Sequence, residues 1–305
     1  MIPDNPRLGV IGFGEVGYHI AKGLKQAGIS QIIAYDNASR TKPALTQAFQ
    51  QKAESIGIKL ATTPKELANG SDLILSTVIP KASVAATTEA APFLTPAQLY
   101  VDLNSCSPET KKEGEAILKE RGVRYVDGAI LGAPLQLEHQ AQIFACGEGA
   151  EEFRDTMSCF AMKIRVISGN VGDAALLKMI YSVTTKGISA LLWESFLALH
   201  KAGLEPNVYE GLDNWLTQMG LFDRADTIIG RSAIHAARRA GEMEFSADTM
   251  RTLGIEPMMA EATKNRLTWC ADFNFKDYFP EGWPSGYKAV FEVMDRITQE
   301  SKPQT

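Results

Sequence analysis

The segment Leu8-Gly9-Val10-Ile11-Gly12-Phe13-Gly14-Glu15-Val16-Gly17 leaves this chain few ways to begin folding. An apolar run enters a Gly-x-Gly-x-x-Gly turn. A helix-compatible stretch follows from Tyr18 to Ala27, and a second apolar run, Ile32-Ile33-Ala34-Tyr35, ends in Asp36. Strand, glycine turn, helix, strand and acid in that order are the context in which three spaced glycines read as a dinucleotide fingerprint. Gly12 permits the tight turn, Gly14 lets the backbone approach a pyrophosphate, and Gly17 lets the helix pack closely on the strand. The helix N-terminus offers N–H groups and partial positive charge to phosphates. Gly12, Phe13, Gly14, Glu15, Val16 and Gly17 are therefore the expected cofactor-binding turn. Asp36 is placed to accept hydrogen bonds from the adenosine ribose, and it would repel a 2′-phosphate, which favours NAD over NADP. Arg40, four residues on, either stands as a solvated loop charge or swings towards a phosphate, so NADP stays possible.

Alternation of short apolar runs with helical segments continues through the first half. Strands are expected at Leu8–Ile11, Gln31–Tyr35, Asp72–Val78, Leu99–Asp102, Val123–Asp127, Gln142–Cys146 and Ile164–Ile167. Continuous apolar runs suit a parallel sheet covered on both faces. After Gly169 the signals turn helical. Asp173–Lys201 is apolar nearly all round and reads as a buried central helix. Asn207–Met219, Ile228–Met243, Ser246–Gly254, Pro257–Trp269 and Ser285–Glu300 read as further helices, and Ser301–Thr305 as a frayed end. The fold class is thus α/β: an N-terminal Rossmann doubly wound domain over residues 1–168, then an all-α domain over 169–305.

The 305 residues carry a formal charge of −5 and no long basic run, which argues against nucleic acid or an anionic membrane as a partner. Cys106, Cys146, Cys159 and Cys270 form no Cys-x-x-Cys pair and no Cys/His cluster, so no metal is expected. Free thiols, no secretory signal and no spanning stretch suggest a cytoplasmic protein.

Three segments beyond the glycine turn carry chemistry. Asp102-Leu103-Asn104-Ser105-Cys106-Ser107-Pro108 follows a parallel strand, where ligands bind in open α/β sheets. Asp127-Gly128-Ala129-Ile130-Leu131-Gly132-Ala133-Pro134 is expected at another strand end. Gly169–Lys178 leads into the apolar helix. Lys178 interrupts an apolar run, and its amine must find a partner or lose its proton. Burial disfavours the charged form, which suits an amine to exchange a proton with a substrate oxygen. The plainer reading is a lysine that snorkels to water. Tyr181, Ser182 and Thr185 share its helical face.

In this order, these segments resemble the β-hydroxyacid dehydrogenase superfamily, which includes 3-hydroxyisobutyrate dehydrogenase and 6-phosphogluconate dehydrogenase. The family's Asp-x-Ser-Thr-x-x-Pro is similar to Asp102–Pro108, and its Asp-Ala-Pro-Val-Ser-Gly-Gly to Asp127–Ala133. Its Gly-x-x-Gly-x-Gly-x-x-x-Lys-x-x-Asn-Asn is similar to Gly169–Ser182. The loop Ser76–Pro80 resembles the family's cofactor-lining turn, which adds Val78 and Ile79 to the expected contacts. Lys178–Tyr181 and His235–Met243 look like a C-terminal domain of poorly characterised 6-phosphogluconate-dehydrogenase-like proteins.

The resemblance implies hydride exchange between nicotinamide and a β-hydroxy acid or related alcohol or carbonyl. It makes Lys178 the general acid/base and Asn104 and Ser105 its catalytic companions, with Asn104 also near the cofactor. Substrate contacts would come from Asn104, Ser105, Leu131, Gly132, Lys178, Tyr181 and Ser182. His235 and Arg238 would hold an anionic group, or else form a solvated salt-bridge face with Glu242. A small-molecule substrate and a homodimer formed through the helical half are implied. Trp193, Trp215, Phe222, Trp269 and Trp283 are expected in the core or a dimer interface. Three departures bear on the substrate: Asn104 replaces a serine, Leu131 replaces a serine that helps hold a carboxylate, and Tyr181-Ser182 replace paired asparagines. Two other readings stand beside this one. Imine reductases share the fold but usually place aspartate or tyrosine at the catalytic position, so Lys178 speaks against them and Tyr181 for them. A non-catalytic NAD-binding sensor is the third.

Overall fold

The computed structural model describes residues 2–38, 43–204, 211, 213–280 and 282–300. Arg40 lies outside them, as do Ser301–Thr305 and residues 207–210 and 212 of the expected helix Asn207–Met219, whose residues 213–217 are helical. The chain divides into two compact units, Met1–Val183 and Thr184–Thr305.

The first unit is built on one eight-stranded sheet among the described residues. Its elements run β1 (Leu8–Ile11), α1 (Glu15–Gln26), β2 (Ile32–Tyr35), α2 (Pro43–Ser55), β3 (Lys59–Leu60), α3 (Pro64–Asn69), β4 (Leu73–Ser76), α4 (Ser83–Ala90), β5 (Leu99–Asp102), α5 (Pro108–Lys119), β6 (Arg124–Leu131), α6 (Pro134–Leu137), β7 (Gln142–Cys146), α7 (Ala150–Ser158) and β8 (Ile164–Val166). The strand order is β3-β2-β1-β4-β5-β6-β7-β8. Every residue of β1, β2, β4 and β5 is buried, as continuous apolar strands in a covered sheet require. One apolar layer gathers Leu8, Val10, Phe13, Ile20 and Leu24; the other gathers Ile11, Tyr35, Leu67, Tyr100 and Tyr125. Local signals set the helix starts. Thr63 caps α3, with Pro64 in its first turn, and Ser107 caps α5 ahead of Pro108.

Two expectations for the sheet are corrected. It is not wholly parallel, because β7 runs antiparallel to β6. The connection between them, residues 132–141, is shorter than the dozen or so residues that a parallel crossover needs. The short strand β3 also joins the edge, pairing with Ile33 and Ala34, although two residues leave almost no periodic signal.

The long helix α8 runs Asp173–Ala202. The compact units part inside it at Val183, and its first turn packs Ala174 against Ala129 and Cys146 of the sheet. α8 is not a buried helix. Leu176, Ile180, Val183, Ile188 and Leu191 are exposed, and Trp193 is 79% exposed. Apolar sequence alone cannot tell a helix buried in its own chain from one that waits for a cover.

In the second unit the expected helices Ile228–Met243 and Ser246–Gly254 are one element, α9 (Leu221–Thr252), kinked at His235. Gly241 does not break it: a glycine inside a helix costs only about 1 kcal/mol. α10 (Met258–Ala271) and α11 (Tyr287–Glu300) belong to the same unit. Glu194 accepts the N–H groups of Met259 and Ala260 at 2.8 and 2.9 Å and so caps α10. Ala233, Phe275, Val290 and Val293 form its small core. Trp215, Phe222, Trp269 and Trp283 are all exposed and contribute no buried core.

Candidate active site

The order β2-β1-β4 puts a topological switch point at the C-terminal end of β1, where the glycine turn sits. Gly12 has φ +91°, a conformation that favours glycine, and its N–H donates to the Tyr35 carbonyl at 2.8 Å. The Thr77 hydroxyl donates to the Gly12 carbonyl at 2.7 Å and ties the turn to the end of β4. A Cβ on Gly17 would lie 2.0 Å from the Gly12 carbonyl oxygen, so this glycine allows α1 to approach the turn. A Cβ on Gly14 would meet nothing within 4 Å: the space above it is open.

That space belongs to a cavity of about 350 Å³ lined by Gly12, Gly14, Asp36, Thr77, Val78 and Ile79 among others. No side chain caps α1, whose first turn begins with Glu15 and whose first intrahelical bond runs from Tyr18 N–H to the Gly14 carbonyl. The N–H groups before Tyr18 are thus the ones available to a phosphate. Phe13 contributes differently. Its ring is buried against Tyr18 and Phe49, and its N–H already donates to Asp36 at 2.8 Å. Val16 packs against the same core. The other Asp36 oxygen accepts from Ala38 N–H at 2.9 Å, so the carboxylate is held at the rim of the cavity. An open glycine, an uncapped helix start and a fixed acid fit a dinucleotide. A wider cavity of about 780 Å³, around Gln31, Lys59 and Gly70, lies by the N-terminal ends of the strands, away from the switch point.

At the end of β5 the chain turns through Asn104 and Ser105 into α5. Asn104 is buried, and its amide donates to the Ser76 and Ser83 hydroxyls at 3.0 and 3.2 Å. Its side-chain oxygen is buried with no hydrogen-bond partner. Ser105 is exposed, and Lys178 Nζ donates to its Oγ at 2.5 Å. Lys178 is half-buried, not sealed in a dry cleft. Tyr181 is exposed, and Ser182 half-buried, one turn further along α8.

The second expected segment is not at a strand end, because β6 continues to Leu131 and takes most of it into the sheet. Pairing with β7 as far as Leu131–Gln142 extends the strand beyond what its own residues suggest. Leu131 closes β6, half-buried, and Gly132 turns away with φ +98°. His235 and Arg238 belong to the second unit. His235 stands at the kink of α9 with its ring edge-on to Trp283, and Arg238 pairs with Glu242 on the exposed surface.

The sequence reading missed a charged cluster beneath these loops. Lys111 of α5 is fully buried. Its ammonium donates to the Asp102 carbonyl at 2.6 Å and carboxylate at 2.8 Å, and lies 3.3 Å from the Asp127 carboxylate. Burial pushes its pKa down, but the two carboxylates outweigh burial and leave it raised. Asp102 also accepts from the hydroxyls of Ser83 and Tyr125, both at 2.8 Å, and from Asn104 N–H. Asp127 accepts from Gly172 and Ala175 N–H at 3.0 and 3.1 Å, capping α8 from a distant strand. A signal was present: Lys111, Gly114 and Leu118 share the buried face of α5. Cys146 sits beside Asp127, its thiol pushed up to about 11 chiefly by burial.

Fold and turn together define a dinucleotide-binding α/β protein. The chain belongs to the family with the NAD binding domain of 6-phosphogluconate dehydrogenase, matched over residues 7–169, within the β-hydroxyacid dehydrogenase superfamily. Residues 200–270 match a domain of unknown function, DUF1932. The chain is 28% identical to an uncharacterised 28.5 kDa protein of Methanothermus fervidus, over 85% of this chain and 96% of that one. It is 24% identical to the cytokine-like nuclear factor N-PAC of Anopheles gambiae but spans only 44% of its length. A solved protein of unknown function, described as structurally similar to 3-hydroxyacid dehydrogenases, is 29% identical with TM-score 0.57, covering 87% of this chain and 98% of that one. An imine reductase from Aspergillus terreus in complex with NADPH4 reaches TM-score 0.70 at 16% identity, covering 88% and 94%, a likeness of fold alone.

Proposed function

We propose that the protein is an oxidoreductase that prefers NAD and acts on a small β-hydroxy acid or a related alcohol or carbonyl, with Lys178 as general acid/base. The observation that carries this reading is the Lys178–Ser105 pair at the C-terminal edge of the sheet. When bound, the nicotinamide supplies hydride exchange with the carbinol carbon. Lys178 Nζ accepts the substrate hydroxyl proton in oxidation and returns it in reduction. Ser105 Oγ orients the amine and, with Asn104, holds the substrate oxygen. The buried, unpartnered oxygen of Asn104 supports a contact with cofactor or substrate, since such an atom is costly to leave unpaired. Leu131 at the end of β6 favours a substrate that is apolar at that edge.

Lys178→Ala is the test. General acid/base catalysis contributes about 10²–10⁴-fold, so kcat should fall by that range while NAD affinity stays unchanged. Wild-type turnover by the variant would remove Lys178 from the mechanism. Reduction of a C=N bond is the second reading, favoured by the fold shared with imine reductases. A panel of hydroxy acids, semialdehydes and imines separates the two, and a silent panel with intact NAD binding would favour a sensor.

A homodimer formed through α8 accounts for its exposed Trp193 and Val183, because apolar surface of this extent calls for a cover. Sedimentation equilibrium should give twice the chain mass; a monomer at every concentration would refute it. The free cysteines suit a reducing cytoplasm.

A further inference from the structure

We infer that Lys111 is a positioning residue for the Lys178–Ser105 pair: its buried ammonium joins the loop that carries Ser105 to the helix that carries Lys178. This rests on the proposed role of Lys178 for its catalytic meaning, but the tie itself is a matter of geometry. Asp102 and Asp127 stand side by side in register on β5 and β6. Two carboxylates on neighbouring strands repel each other, and the ammonium between them reverses the sign. From Asp102 the contacts pass through Asn104 N–H to Ser105. From Asp127 they pass through Gly172 and Ala175 N–H into the first turn of α8, one turn before Lys178. The Lys178–Ser105 bond closes the circuit at 2.5 Å. Every link lies within the first unit.

A buried ion pair is weak evidence for stability, because apolar groups of the same shape often serve as well. Fixing geometry is the better account here. The ammonium meets oxygens from β5 and β6, counting the Gly128 carbonyl at 3.4 Å, and each of those segments leads to a different part of the site.

The experiment measures the lysine side chains of the full-length protein directly. Acetic anhydride is applied at fixed pH to the wild type, Lys111→Met and Asp127→Ala, and acylation of Lys178 is followed by peptide mass spectrometry, with exposed Lys163 as internal standard. Freed from Ser105, Lys178 should label about fivefold faster in both variants, the factor implied by loss of one ordinary hydrogen bond. Lys163 should label as before, and turnover should fall in kcat with KM for NAD unchanged. Wild-type labelling of Lys178 in a folded Lys111→Met protein overturns the inference. Should that variant fail to fold, Asp127→Ala decides, because it keeps the Lys111–Asp102 contact and removes the acceptor for Gly172 and Ala175 N–H: faster labelling supports the tie and unchanged labelling overturns it. Labelling that depends on Lys111 in a protein with no turnover on any substrate would sink the oxidoreductase reading and leave the tie standing.

Discussion

Gly14 and Gly17 lie three residues apart in one turn, and the structure gives them opposite duties that alanine can separate. At Gly17 an added Cβ would stand 2.0 Å from the Gly12 carbonyl oxygen and 2.7 Å from Thr77 Oγ1. A Cβ essentially never approaches another heavy atom within 3.0 Å, so α1 and the turn must part by about 1 Å. Overpacking costs about 1–3 kcal/mol, and a backbone clash this close belongs in the upper half of that range; replacing a helical glycine returns about 1 kcal/mol, which leaves a net loss of roughly 1–2 kcal/mol. For a unit of this size that lowers Tm by about 2–8 °C. At Gly14 the same methyl meets open space, and φ −70° suits alanine. Its weaker capping is offset by reduced freedom of the unfolded chain, so Tm should stay within about 2 °C. The methyl would nonetheless occupy the approach to the helix N-terminus, and NAD affinity should fall at least about tenfold in Gly14→Ala. Thermal melts and NAD titration of the two variants give the answer. Gly14→Ala with wild-type NAD affinity, or with the same loss of Tm as Gly17→Ala, would refute the assignment of the open space to the pyrophosphate.

Asp36→Ser removes a carboxylate held by two backbone N–H groups at the cavity rim. The ratio of NADP to NAD affinity should rise about tenfold or more, measured by titration with both cofactors, since charge-assisted hydrogen bonds are worth about 1.5–3 kcal/mol; an unchanged ratio would move cofactor selection elsewhere. Glu66 is held at about 2, below its ordinary 4.5, first by its bond to Lys59 and then by Thr62 N–H. A depressed acid contributes stability above its unfolded value and loses it as pH falls through its folded one. The stability advantage of wild type over Glu66→Gln should therefore be full at pH 7 and shrink between about pH 4.5 and pH 2. Urea melts at pH 7 and below pH 3 check this, and an advantage that does not vary with pH would contradict it.

Local chemistry made much of the site legible. The order of strand, glycine turn, helix and acid required no partner from elsewhere in the chain, because φ at Gly12 and the close approach at Gly17 are properties of those residues in that turn. The Asp102–Pro108 segment was legible as the end of an apolar parallel strand, where ligands bind in open α/β sheets. Lys178 could be singled out because an amine in an apolar run is a local contradiction.

What lay beyond reach depended on residues far apart in sequence. The antiparallel turn of β7, the extension of β6 through Leu131 and the edge strand β3 each come from pairing with a neighbour, which single-strand periodicity does not encode. The solvent exposure of α8 follows from what fails to cover it, and an apolar helix reads alike in either case. Lys111 is the clearest instance. As one lysine in the charged sequence of α5 it looks like any surface cation, and only folding brings Asp102 and Asp127 to its ammonium. Backbone conformation is set within a few residues and can be read from them, whereas the energy of a buried charge depends on everything that surrounds it.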